Sequence, residues 1–239
     1  MVITMKNAIP GSAIPALLSI LVSSAFTQPK ECVVLLHGLA RTNKSMTVMQ
    51  TRLEQEGYQV VNYDYPSRAY PVEELANRFV PLAIAQCADS QKVDFVTHSL
   101  GGILVRQYLK EHRLPRLHRV VMLGPPNQGS QVVDKLSGVP GFSLINPPAG
   151  AELGTTNTGI ASRLGPADFE VGIIAGTRSL NLILSLYLPN PDDGKVSVEN
   201  TKLAGMKDHI QVPVSHPFLM RNPEVIDYTV KFLKTGSFR

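Results

Sequence analysis

Nowhere in this 239-residue chain do five lysines or arginines follow one another, although its formal net charge is +4. Without such a run there is no electrostatic footprint for nucleic acid, and the basic balance reads as solubility. Cysteine is scarce too: Cys32 and Cys87 are the only two, which offers no metal-ligand spacing and no disulfide framework. No segment repeats, which excludes solenoids and propellers. Nor does any apolar run reach the roughly 20 residues that a bilayer-spanning helix needs. The longest, Ala8 to Val22, is broken by Pro10, Gly11 and Pro15. What remains is a chain of ordinary composition, long enough for one domain with a full core.

That N-terminal run follows Lys6 and leads into Ser23, Ser24 and Ala25, the layout of a secretory signal peptide cleaved after Ala25. Residues 26–239 are then the mature domain, periplasmic or secreted. A retained membrane anchor, or an N-terminal helix on a cytoplasmic domain, are the alternatives. Export to an oxidising compartment favours a disulfide between Cys32 and Cys87. Each cysteine stands just ahead of an apolar run assigned below to neighbouring strands, so pairing at one sheet edge is geometrically allowed; two unrelated buried thiols are the alternative.

Short β-branched runs alternate with helical stretches, the signature of a parallel sheet covered by helices on both faces. Six strands are predicted: Cys32 to Leu36, Gln59 to Tyr63, Val93 to Thr97, Arg119 to Leu123, Val171 to Ala175 and Ile210 to Val214. Helices are predicted over Ser45 to Glu56, Val72 to Ala88, Leu100 to Glu111 and Glu224 to Leu233. In the second of these, Leu75, Phe79, Leu82 and Ala83 share a face. Parallel strands with right-handed crossovers place functional residues at the strands' carboxyl ends.

At one such end stands Thr97-His98-Ser99-Leu100-Gly101-Gly102, followed by an amphipathic helix. A strand, a tight turn and a helix are what present a nucleophilic serine out of a sheet, with small residues on either side letting the backbones approach. Thr97 stands where glycine is usual. A serine that only caps the helix is the plain alternative. The first strand runs into His37-Gly38-Leu39, where glycine lets the chain turn a backbone N–H toward that serine. Two such donors stabilise a tetrahedral oxyanion, each by roughly 3 to 4 kcal/mol. Leu39 N–H and Leu100 N–H are the candidates. His37 and His98 read as structural.

A base is expected after the last strand, and His216 in Ser215-His216-Pro217 fits. His209 begins that strand and so falls at the wrong end. The acid that orients the base is expected after the penultimate strand. Asp192 and Asp193 come first; Asp193 is preferred because Gly194 permits a turn inward, leaving Asp192 solvated.

His37-Gly38-Leu39, Thr97-His98-Ser99-Leu100-Gly101-Gly102, Asp193-Gly194-Lys195-Val196 and Ser215-His216 together resemble the bacterial lipase/esterase branch of the α/β-hydrolase superfamily. The resemblance implies an α/β-hydrolase fold with a mostly parallel sheet of about six strands, and a monomer. It also implies cleavage of a small-molecule or lipid ester by Ser99, His216 and Asp193, without an organic cofactor. Some relatives hold a structural calcium, but no acidic cluster is visible for one and no metal is expected. Residues 131–166, rich in Gly and Pro, form any cap; its smallness favours an open esterase over a lid-gated lipase. The apolar stretch Leu180 to Leu188 reads as a buried helix, with an acyl wall or a transient lipid contact as alternatives. The same three side chains also serve acyltransferases and thioesterases, while a non-catalytic binding protein on this fold predicts a damaged set.

Overall fold

The computed structural model describes residues 1, 31–137, 147–157, 159–180 and 185–239. All but the first residue of the expected signal peptide, and residues 138–146 and 158 of the expected cap, lie outside these. β-Branched and leucine-rich runs form six strands: β1 (Cys32–Leu36), β2 (Gln59–Tyr63), β3 (Val93–His98), β4 (Leu117–Leu123), β5 (Val171–Gly176) and β6 (Asp208–Val212). They make one sheet in the order β2-β1-β3-β4-β5-β6. Every neighbouring pair is parallel.

Side chains alternate across a strand, and the alternation divides the core in two. Val34, Leu36, Phe95, Val120 and Met122 face α2 (Val72–Ala85) and α3 (Leu100–Glu111). Val33, Leu35, Val96, Val121, Leu123 and Ile174 face α1 (Thr47–Gln55) and the C-terminal helix Pro223–Thr235. Both faces being covered, β1 and β3 are buried along their whole length. At the sheet's edge, β2 buries only Val61.

Three expectations shift. The last strand begins two residues earlier, at Asp208, whose carboxylate takes the Phe238 N–H at 2.8 Å and so finds a buried partner that its own polarity concealed. The second helix ends at Ala85, and its Leu82 is 53% exposed; Leu75, Ala76, Val80 and Ala83 form the buried face instead. Leu180, Leu186 and Tyr187 are exposed rather than buried, while 181–184 fall outside the described residues. Between β4 and β5 lie α4 (Gln131–Ser137) and the short helices Pro148–Ala151 and Ile160–Arg163, a small cap.

Cys32 and Cys87 form a disulfide across 55 residues of sequence. It ties the start of β1 to the turn that follows α2. Among the described residues, no helix is long and apolar enough to cross a membrane.

The amino ends of the strands carry a cluster that separate stretches of sequence hid. Ligand-type atoms of Glu31, Asp94 and His118 lie within 4.8 Å of one another, where the pairing of β3 with β4 shifts register between Val93 and Phe95. Side chains already engage it: Lys92 pairs with Glu31 at 2.6 Å, and Asp94 Oδ1 meets His118 Nδ1 at 3.1 Å and the Arg119 N–H at 2.8 Å. Burial pushes the Asp94 carboxyl up to about 7, only partly opposed by the Arg119 N–H. The folded chain therefore keeps a proton that the unfolded chain has released. The stability this group contributes is full below the ordinary carboxylate range and is lost as pH rises through about 7.

Asp94→Asn removes that loss. Its melting temperature relative to the wild type is expected to climb from about pH 4 to about pH 8, read as the difference between the two thermal profiles, since His37, His98 and His209, whose pKa values burial lowers, titrate in the opposite sense. Replacing both cysteines by serine is expected to lower stability by up to ~4 kcal/mol, measured by denaturant unfolding.

Candidate active site

The carboxyl ends of β1, β3, β4 and β5 meet at one rim. β3 hands directly to α3 through Ser99, which adopts φ 51° and ψ −117°. A positive φ is costly for a residue with a β-carbon, and surrounding contacts hold it there. The Ser99 N–H donates to Leu123 O at 2.9 Å, and its carbonyl accepts from the Gly102 N–H at 3.0 Å. A β-carbon on Gly101 would come within 2.5 Å of Leu36 O, and one on Gly102 within 3.2 Å of Thr97 Oγ1. The two glycines thus let α3 press against β1 and β3. Threonine suffices where glycine is usual because its small side chain packs fully buried in that contact.

Past β5 the chain folds back through a turn in which Gly194 takes φ +93°. That turn aims the buried Asp193 inward, where Oδ1 accepts from the N–H groups of Lys195 at 3.0 Å and Val196 at 2.8 Å. Its other oxygen, Oδ2, meets His216 Nδ1 at 2.7 Å. The main chains are joined as well: the His216 N–H donates to Asp193 O at 3.0 Å. Asp192 is not the solvated neighbour expected. It is 3% exposed and accepts from Ser185 Oγ at 2.8 Å and the Gly194 N–H at 2.7 Å, so its carboxylate builds the turn.

Ser99 and His216 line one cavity of about 280 Å³, together with Leu39, His98, Val133 and Lys195. Among the described residues, no acceptor takes the backbone N–H of Leu39 or of Leu100. Leu100 is the first residue of α3, where an N–H has no partner within the helix.

The other histidines have structural partners. His37 is buried, stacks on Tyr65 at 4.1 Å and directs Nδ1 to Gly38 O at 2.9 Å, and burial holds its pKa down. His209 sits in β6 against Thr201 Oγ1 at 2.9 Å, far from the rim's serine. His98 is closer to His216 than expected. Its ring lies 4.7 Å from that of His216, and its Nε2 faces His216 O at 3.0 Å. Burial, and then His216, push its pKa well below the usual value, so it is neutral, with the proton on the nitrogen that meets the carbonyl. A β-carbon on Gly38 would come within 2.7 Å of its Nδ1.

Sequence reasoning missed two strand-end glycines. A β-carbon on Gly124, after β4, would lie 2.9 Å from Asp193 Oδ2 and 3.1 Å from His216 Nδ1; one on Gly176, ending β5, would lie 2.9 Å from Asp193 Cβ. Glycine at the carboxyl end of two adjacent predicted strands was the available signal.

Residues 33–223 match the alpha/beta hydrolase family, well over half of the chain, and this protein belongs to that family. Its fold is similar to that of the mature Bacillus licheniformis lipase BlEst2, with TM-score 0.70, 19% identity, 87% of this chain and 94% of that one covered. The Legionella pneumophila phospholipase PlaB gives TM-score 0.66 at 17% identity, over 88% of this chain and 60% of that one. A thermophilic esterase from Thermogutta terrifontis gives 0.56 at 16%, over 87% and 91%. No curated protein matches by sequence.

Gly124 adopts φ +54°, so alanine there is strained and also intrudes on the contact between Asp193 and His216. Gly124→Ala is expected to weaken the hydrogen bond between Asp193 and His216, seen as loss of the low-field Nδ1 proton resonance in a protein that still folds.

Proposed function

We propose that this protein is an exported serine hydrolase of carboxylic esters, a carboxylesterase or a triacylglycerol lipase, working through an acyl-enzyme. The observation that carries the reading is the 2.7 Å contact between His216 Nδ1 and Asp193 Oδ2, beside a serine held at positive φ in the same cavity. In this reading Ser99 Oγ attacks the ester carbonyl as its proton passes to His216 Nε2. Asp193, its Oδ1 held by two backbone N–H groups, stabilises the imidazolium through Oδ2 and keeps the ring in its useful tautomer. The developing oxyanion takes the free N–H groups of Leu39 and Leu100. His216 then returns the proton to the leaving alcohol, and water attacks the acyl-serine by the reverse route. His98, being neutral, places no second positive charge beside the imidazolium.

The Cys32–Cys87 disulfide supports an oxidising, exported setting, with residues 1–25 as the cleaved leader. The small cap supports an open site, and the esterase and lipases of similar fold support ester chemistry. A fluorophosphonate probe is expected to label the wild type and not Ser99→Ala, as read by intact mass. With p-nitrophenyl butyrate, Asp193→Asn is expected to lower kcat by roughly 10⁴-fold. Asp192→Asn, acting only on the turn, is expected to cost far less; full turnover in Asp193→Asn overturns the assignment of the acid.

A further inference from the structure

Resting on the hydrolase reading above, we propose that the ester this site takes bears an anionic group, a carboxylate, sulfate or phosphate, on its alcohol side, and that Arg41 and Lys195 hold it.

Both cations line the cavity that contains Ser99 and His216. They approach from opposite directions. Arg41 stands on the loop after β1 and Lys195 on the loop after β5, and the sheet order sets these strands on either side of β3, which carries the serine. Their backbones are pinned while their side chains stay exposed. Ala40 adopts φ 55° with its N–H on Ser67 Oγ at 3.1 Å, and the Arg41 N–H returns to Gly38 O at 3.3 Å. On the other side the Lys195 N–H binds Asp193 Oδ1, and Lys195 O accepts from Ser130 Oγ at 2.7 Å. A left-handed alanine is strained, and here it brings the arginine to the cavity rim.

Neither side chain is neutralised. Among the described residues, which include every aspartate and glutamate of the chain, neither forms an ion pair or a side-chain hydrogen bond. No carboxylate lines the cavity. Asp193 lies behind His216. Of the nearby acids, Asp134 accepts from Thr155 Oγ1 at 2.5 Å and Glu152 from the Val72 N–H at 3.0 Å; Asp64 shares a separate hollow with Arg41 but accepts from the Asn43 N–H at 3.0 Å and forms no ion pair with the arginine. Two unpaired cations and no anion around an apolar hollow give a positive field at the mouth. The rest of the lining, Val132, Val133, Leu136 and Leu153 from the cap, suits an acyl chain. The acyl part therefore lies against the cap, and the charged alcohol faces the exposed cations and leaves past them.

The test compares p-butanoyloxybenzoate with its methyl ester, which share acyl group and ring and differ in charge. The readout is the ratio of their kcat/KM values. Arg41→Gln and Lys195→Gln are each expected to lower the anionic-to-neutral ratio by roughly fivefold, and the double variant by more. Raising salt to about 0.5 M is expected to lower it as well. Lys110→Gln, an exposed lysine near the far end of α3, controls for net charge and leaves the ratio unmoved. A double variant whose ratio stays within about twofold of the wild type overturns the proposal.

If neither ester turns over, and the fluorophosphonate fails to label Ser99, the hydrolase reading falls while this one is still decided by binding. Calorimetry with p-butoxybenzoate and its methyl ester, which have no ester at the reacting position, then gives the answer. Tighter binding of the anion, lost in the double variant, supports the cation pair. Equal affinity, or no binding of the anion, overturns it.

Discussion

One constraint governs the molecule: all six strands point the same way, so every carboxyl end opens onto a single rim. Residues as distant in sequence as Leu39, Ser99, Gly124, Asp193 and His216 converge because each follows a strand, or the loop leaving one. Covering both faces with helices forces the strands to be apolar throughout. Chemistry is then left to the loops, where polar groups find backbone partners or solvent. The opposite rim obeys the same geometry and gathers Glu31, Asp94 and His118.

Much of the frame was legible because burial on two faces writes itself into the sequence as short β-branched runs. β1 and β2 fall where their residues predict, and β3, β4 and β5 differ only by a residue or two at their ends. The places of Ser99, His216 and Asp193 in the fold were legible from turns: a serine between a buried strand and a helix, a histidine after the last strand, an aspartate before glycine. The failures have physical causes. β6 begins with Asp208 and His209, polar residues whose partners come from the C-terminal tail and from Thr201, contacts that no local pattern reveals. Leu82 is apolar yet exposed, and helical spacing cannot tell a core face from a flank. Asp192 was taken as solvated because its role lies in a turn closed by Ser185 and Gly194. Gly124 has no side chain for a pattern to single out, and it leaves room for a carboxylate held by another loop.

Histidine shows how little residue type alone decides. Of those near the rim, His37 and His98 are buried and held neutral, the first inside its own loop and the second against the ring of His216. His37 also faces a carboxylate, that of Asp64, and His98 also lines the cavity, but of the three only His216 combines the two. Burial with a charged partner and an open side separates an imidazole that can exchange protons from one that only packs.

The double attachment between Asp193 and His216, through a side-chain contact and a main-chain contact, has a mechanical consequence. The two loops are riveted at two points, so thermal drift of either carries both residues together. Carboxylate and imidazole are thus fixed to each other by two contacts, whereas the serine is placed independently of them, by the junction of β3 and α3.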